Sequence, residues 1–193
     1  MLSELIDRAN KIELLYKSLR LFLTRSALPE TVMIFIDGSN MFHSIKRFKT
    51  GYRLDYEKLV KHLVRDRNLV RPYYYCSIGV PPRPQQINFL KKLRTLRFTV
   101  VDKPLKKRGE TYVEKGVDVA LVTDLLSMAY KNAYDVAIVV SGDKDVQGAI
   151  EEVKRSGKRV EVAAFGSATS EDMKTCGDDF VDLESIADQI QLQ

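Results

Sequence analysis

The chain has 193 residues, 45% of them hydrophobic, enough for one substantial core and too few for two; a formal net charge of +5 and a pI near 9.1 suit an anionic partner such as nucleic acid. Cys76 and Cys176 show no Cys-x-x-Cys spacing and no neighbouring histidine pair, which argues against zinc and against a disulfide framework and points to a reducing, cytoplasmic setting. No apolar run approaches the roughly 20 residues needed to cross a bilayer, and Glu4 and Asp7 stand where a secretory signal would be basic, so a soluble, unprocessed protein is expected.

Leu2, Leu5, Ile6, Ala9, Ile12, Leu15, Leu19, Phe22 and Leu23 recur at spacings of three and four, predicting an amphipathic helix within residues 1–28. Its polar face carries Lys11, Lys17 and Arg20. Docking on its own domain or pairing into a homo-oligomer is the expected use of such a stripe, with an anionic surface as the remaining option. Leu28-Pro29-Glu30 breaks the helix, and residues 31–193 are expected to form the domain proper.

From residue 32 short β-branched or aromatic runs alternate with longer helical stretches, the pattern of a parallel sheet with crossover helices. Strands are expected near 32–36, 72–78, 98–102, 135–140 and 159–165, with a short last strand at Phe180 to Leu183. Helices are expected near 55–66, 84–96, 117–131 and 144–156. The fold class is therefore α/β, three layers with helices on both faces of a mainly parallel sheet. Right-handed crossovers and a reversal of winding after the third strand bring the first and fourth strands together at the centre.

Those two strands end in carboxylates, and residues just past the carboxyl ends of parallel strands line the crevice where ligands bind. The first is Phe35-Ile36-Asp37-Gly38-Ser39-Asn40; the other is Val139-Val140-Ser141-Gly142-Asp143-Lys144-Asp145. Each also reads as a plain turn or helix cap, because Asp, Gly, Ser and Asn all favour such positions. Lys115-Gly116-Val117-Asp118 supplies a third carboxylate at the start of a helix, where Asp118 also reads as an N-cap. The conjunction favours chemistry: three acidic turns at one sheet edge concentrate charge that a hard divalent cation, Mg2+ or Mn2+, would compensate. Asp124 lies about 240° around the helix from Asp118, so it is expected to support the site or to face solvent.

Basic runs flank these segments. Lys46, Arg47 and Lys49 follow the first, and Lys103, Lys106, Lys107 and Arg108 precede the third. Either run is a solvated face or a contact to a nucleic acid backbone; Lys46, Arg47, Lys107 and Arg108 are the candidates for substrate. Tyr73-Tyr74-Tyr75 suggests a stacking platform for bases, although strand alternation puts at least one ring in the core and exposes Tyr74 only on an uncovered sheet face. The stiff loop from Gly79 to Pro84 offers Arg83 to phosphate or is a simple connector. His43 and His62 are expected in ordinary roles, with His43 close to Asn40.

Ile36-Asp37-Gly38-Ser39-Asn40, Lys115-Gly116-Val117-Asp118-Val119 and Ser141-Gly142-Asp143-Lys144-Asp145 resemble, in order, the three signature segments of the NYN domain in its LabA-like branch, a relative of the PIN-fold nucleases. The resemblance covers about residues 31–184 and includes Leu54-Asp55-Tyr56. It implies a three-layer fold and metal-dependent cleavage of RNA, leaving a 5′-phosphate and a 3′-hydroxyl. Asp37, Asp118, Asp143 and Asp145 are then the catalytic residues, the first three holding Mg2+ or Mn2+. Asn40 and Ser141 are expected to orient Asp37 or a phosphate of single-stranded RNA. One departure is Val146, where the family often has an aromatic residue.

Two other functions compete. A catalytically weak RNA-binding or regulatory interaction module would keep the fold with little turnover. A phosphatase or nucleotide-handling enzyme is disfavoured, because no Gly-x-x-x-x-Gly-Lys or Gly-x-Gly-x-x-Gly loop is present and Ser39 stands where an aspartyl-phosphate enzyme commonly has its second carboxylate.

Overall fold

The computed structural model describes residues 12–17, 29–109 and 111–193. Its centre is a six-stranded sheet of β1 (Thr31–Asp37), β2 (Asn68–Ile78), β3 (Thr99–Pro104), β6 (Val136–Val140), β7 (Arg159–Ala164) and β8 (Asp179–Asp182), with β4 (Lys106–Arg108) and β5 (Thr111–Val113) forming a separate antiparallel hairpin. The sheet order is β3-β2-β1-β6-β7-β8 and every pair in it is parallel. Winding runs outward from β1 through β2 to β3, returns to β6 beside β1, and then runs outward to β8. The switch of direction between β1 and β6 opens a crevice at their carboxyl ends.

Alternation along the strands sends side chains into two cores. Val32, Ile34 and Ile36 of β1 face one, with helices α1 (Gly38–Phe48), α2 (Tyr56–Val64) and α3 (Pro84–Thr95) packed over them through Met41, Leu59, Leu63, Leu90 and Leu93. Met33 and Phe35 face the other, under α4 (Val117–Tyr130), α5 (Gln147–Arg155) and α6 (Glu171–Cys176), which contribute Leu121, Leu125, Ile150, Val153 and Met173. Burial on both faces explains why β1 and β6 read as unbroken apolar runs. Asp55 caps α2 by accepting from the Glu57 and Lys58 N–H groups.

Sequence patterning places the strands and their order within a few residues, and it places the helices over 117–131 and 144–156. The latter begins with a 3-10 turn at Lys144–Val146 before α5. Helix α1, the short helix α6 and the β4–β5 hairpin were not in it. Helix α1 follows β1 with no intervening turn, because Asp37 serves both as the last residue of the strand and as N-cap. Gly38 is required there by close approach: a Cβ would lie 2.5 Å from the Tyr74 ring and 2.6 Å from the Tyr75 carbonyl oxygen. The β4–β5 hairpin was also missed, since Lys106, Lys107 and Arg108 are all exposed and carry no apolar alternation.

The helix expected within residues 1–28 lies outside the described residues except for 12–17, which are helical, with Ile12, Leu14, Leu15 and Tyr16 exposed. Among the described residues no helix is long and apolar enough to cross a membrane.

Candidate functional site

Asp37 ends the central strand and is 3% exposed. One carboxylate oxygen accepts from the Asn40 N–H at 2.9 Å, the other from the Ser141 hydroxyl at 3.0 Å. Ser141, fully buried beyond the end of β6, also accepts from the Asp143 N–H at 3.1 Å. The Asn40 amide oxygen accepts from the Gly142 N–H at 2.9 Å. Asn40 and Ser141 therefore lace together the two loops at the switch point and hold Asp37 in one orientation. Asp143 caps the 3-10 turn by accepting from the Asp145 N–H at 3.0 Å.

Asp118 reaches the same corner from the first turn of α4. It is not the cap that the sequence suggested: Gly116 holds that position with φ of +80°, a left-handed conformation that glycine adopts without a Cβ penalty. The start of α4 is thus shaped by Gly116, and the Asp118 carboxylate is left with no capping role.

A fifth carboxylate, Glu114, was missed. It follows the hairpin and accepts from the Ser39 hydroxyl at 2.6 Å, joining the hairpin exit to the first turn of α1. No motif in the sequence singles it out. Only the return of the hairpin brings it to the corner.

The carboxylates perturb one another. Burial raises the Asp37 pKa, opposed by the Asn40 and Ser141 hydrogen bonds and reinforced by the charges of Asp118 and Asp143. The Asp118 pKa is raised by partial enclosure of its carboxyl and then by Asp143, Glu114 and Asp145. Among the described residues none of the five acids is in an ion pair, and the adjacent Lys144 is turned to Asp172 at 2.8 Å. Among the described residues no three His, Cys, Asp or Glu side chains are already gathered in a metal-coordinating arrangement. The donor set itself, hard oxygens with unbalanced negative charge, suits a divalent ion of the Mg2+ or Mn2+ type.

The other sequence candidates divide. Lys46 and Arg47 lie in the last turn of α1, exposed, on the helix that starts at the acidic corner. Lys107 and Arg108 are in β4, toward the tip of the hairpin, and are exposed. The three tyrosines lie in a strand, as expected, and form no stacking platform. Tyr73, Tyr74 and Tyr75 are 9%, 5% and 0% exposed, because both faces of β2 are covered by helices. Tyr74 packs edge-on against Tyr56 and Phe89, and the Tyr75 hydroxyl donates to Asp124 at 3.0 Å. Asp124 thus faces β2 from α4, bonded to the strand residue that pairs with Asp37. His43 is exposed on α1, and Arg83 precedes α3 as an exposed N-cap residue.

A parallel α/β/α sandwich whose carboxylates collect at the switch point between two central strands is a PIN-like domain. Residues 31–184 match the NYN domain family, and the chain belongs to it. Over 171 residues it is 27% identical to the low amplitude and bright protein LabA of Synechococcus elongatus, with 84% of this chain and 89% of that protein covered. A crystal structure of a protein of unknown function from Vibrio parahaemolyticus is similar with a TM-score of 0.74 at 25% identity, covering 86% of this chain and 99% of that one. The NYN family includes ribonucleases and lies within the PIN-like nuclease superfamily, whose members generally use divalent metals.

Proposed function

We propose that the protein is a metal-dependent ribonuclease of the cytoplasm that hydrolyses phosphodiester bonds of single-stranded RNA at the corner formed by Asp37, Asp118, Asp143 and Asp145. The observation that carries this reading is electrostatic. Five acidic side chains collect where two central strands end, two of them have pKa values raised by enclosure and mutual repulsion, and no described cation offsets them. Such an arrangement works against folding unless a cation is part of its use.

Asp37, Asp118 and Asp143 would hold Mg2+ or Mn2+, which when bound supplies Lewis acidity toward a phosphoryl oxygen and a water of lowered pKa. The chain's own part is positioning. Ser141 and Asn40 fix the Asp37 carboxylate through one hydrogen bond to each oxygen, so each oxygen retains acceptor capacity. Asp145 adds negative charge beside Asp143, while Lys46 and Arg47 on α1 and Lys107 and Arg108 on the hairpin attract the RNA backbone from two sides. Hydrolysis consumes one water and leaves a 5′-phosphate and a 3′-hydroxyl.

A second reading, an RNA-binding or regulatory module with little turnover, is favoured by the apolar side chains exposed in the helical stretch 12–17. The exposed apolar residues Ile12, Leu15 and Tyr16 would then serve self-assembly. Purified wild type and Asp143→Asn, both shown to be folded, are compared on end-labelled single-stranded RNA with Mg2+, Mn2+ or chelator. The ribonuclease reading expects metal-dependent cleavage by wild type alone. RNA binding without cleavage by either protein would replace it with the second reading.

A further inference from the structure

Helix α1 leaves the acidic corner with one face buried and the opposite face unusual. Met41, Ser44, Ile45 and Phe48 point into the core. At about 100° per residue, Ser39, Phe42, His43 and Lys46 share the outward stripe. The stripe begins at the site, since Ser39 is hydrogen-bonded to Glu114. Its second member is Phe42, 54% exposed. The Lys46 ammonium sits 4.2 Å above the Phe42 ring centroid, and the His43 ring meets it nearly edge-on at 5.6 Å. Arg47 and Lys49 add positive charge at the far end of the helix, and among the described residues neither they nor Lys46 is in an ion pair.

An exposed phenylalanine with a lysine ammonium over its ring and more basic residues further along the same helix has few suitable partners. A protein interface would place Lys46, Arg47 and Lys49 where contact surfaces are depleted in lysine and charge is costly to desolvate. A polyanion that also carries π-faces matches both features at once, because a base stacks on the ring while the ammonium turns to the adjoining phosphate. Double-stranded nucleic acid offers no free base face at this height. The three tyrosines that looked like a platform in the sequence are buried, so Phe42 is the aromatic ring available on the helix that leads from the corner.

We infer that Phe42 and Lys46 form a base-stacking subsite for single-stranded RNA, holding the nucleotide next to the phosphate that lies at the acidic corner. This rests on the RNA reading of that corner, and the test separates the two. Phe42→Ala and Phe42→Tyr are made in the non-cleaving Asp143→Asn protein, and binding of fluorescently end-labelled oligouridylate is titrated alongside inorganic polyphosphate, which has the charge and no bases. The expected result is a loss on the order of tenfold in RNA affinity for Phe42→Ala, retention for Phe42→Tyr, and equal polyphosphate binding by all three. If the Asp143→Asn parent binds no RNA, the RNA reading and the subsite fall together. If the parent binds RNA and Phe42→Ala binds it as tightly, only the subsite falls. A loss of RNA and polyphosphate affinity in equal measure would reduce Phe42 to a prop for Lys46 and overturn stacking. A change in elution volume with no change in RNA affinity would make the stripe a protein contact instead.

Discussion

Ser141→Ala tests whether the switch-point corner is held as its hydrogen bonds indicate. The side chain is fully buried, donates to a carboxylate that is itself 3% exposed, and accepts from the Asp143 N–H. Alanine fits the same space and removes both bonds. Loss of a hydrogen bond to a buried charged group costs about 1.5–3 kcal/mol, and the partly buried N–H, which water can reach, adds roughly 0.5–1 kcal/mol. A total of about 2–4 kcal/mol corresponds in a chain of this size to a fall of roughly 5–15 °C in Tm. The deficit also carries a pH signature. The Ser141 hydroxyl favours the charged form of Asp37, so without it the raised Asp37 pKa moves further up. The contribution of the bond is fully present where Asp37 is ionised and shrinks as pH falls through the raised folded value toward the ordinary 3.8. Melts of wild type and variant followed by far-UV circular dichroism at pH 7 and near pH 4 measure this directly. A Tm at pH 7 within a degree or two of wild type, or a deficit as large near pH 4 as at pH 7, would refute the reasoning.

Asp37→Asn is expected to abolish cleavage while leaving stability at pH 7 in chelator equal to or above that of wild type. The sign follows from the raised pKa: the folded state binds the proton more tightly than the unfolded chain, so the charged carboxylate opposes folding above its folded pKa and ceases to do so as pH falls through it. A lower Tm than wild type in a chelator melt at pH 7 would contradict this. Arg67→Ala is expected to cost about 3–5 kcal/mol in urea unfolding, because it strands Glu161, 2% exposed, which now receives two guanidinium bonds at 2.5 and 3.0 Å. A cost under about 1 kcal/mol would mean that Arg159, 3.7 Å away, replaces it.

What could be read from sequence follows from where the information resides. The strands and their order were legible because β1 and β6 are apolar on both faces and end in turn-forming polar residues, a local signal. Helix α1 was not, because Asp37-Gly38-Ser39-Asn40 has the composition of a turn and also of a helix start. The choice is made by Tyr74, whose approach requires Gly38, and by Ser141 and Gly142, which fix Asp37 and Asn40 from another strand. Asp37, Asp118, Asp143 and Asp145 were visible as carboxylates after strands or at a helix start. Glu114 was hidden, since its place depends on a hairpin of exposed basic residues folding back to Ser39. The tyrosines of β2 were legible as a strand, but not their full burial: alternation divides side chains between faces, and only packing determines which faces are covered.

The two ends of the sheet make an internal comparison. At the amino ends of the strands several acids are matched. Glu161 is held by Arg67, Arg159 bridges Glu30 at 2.9 Å and Asp179 at 3.3 Å, Lys154 lies 3.3 Å from Asp178, and Asp135 accepts from the Thr31 N–H and hydroxyl, which lower its pKa. At the carboxyl ends Asp102 is paired with Arg94 at 2.7 Å, but the five acids of the corner are in no ion pair among the described residues, although Lys144 is adjacent in sequence to Asp143 and Asp145 and instead joins Asp172. A protein that pairs acids elsewhere along the sheet and leaves the five at this corner unopposed has not simply run out of lysine and arginine, for 31 are present in the chain. The basic residues near the corner stand off from it, on the outward stripe of α1 and on the hairpin, where they attract a polyanion without neutralising the carboxylates. Under the proposed ribonuclease reading, unopposed acids at the corner with basic residues at its rim are the charge distribution that metal-assisted phosphodiester hydrolysis needs.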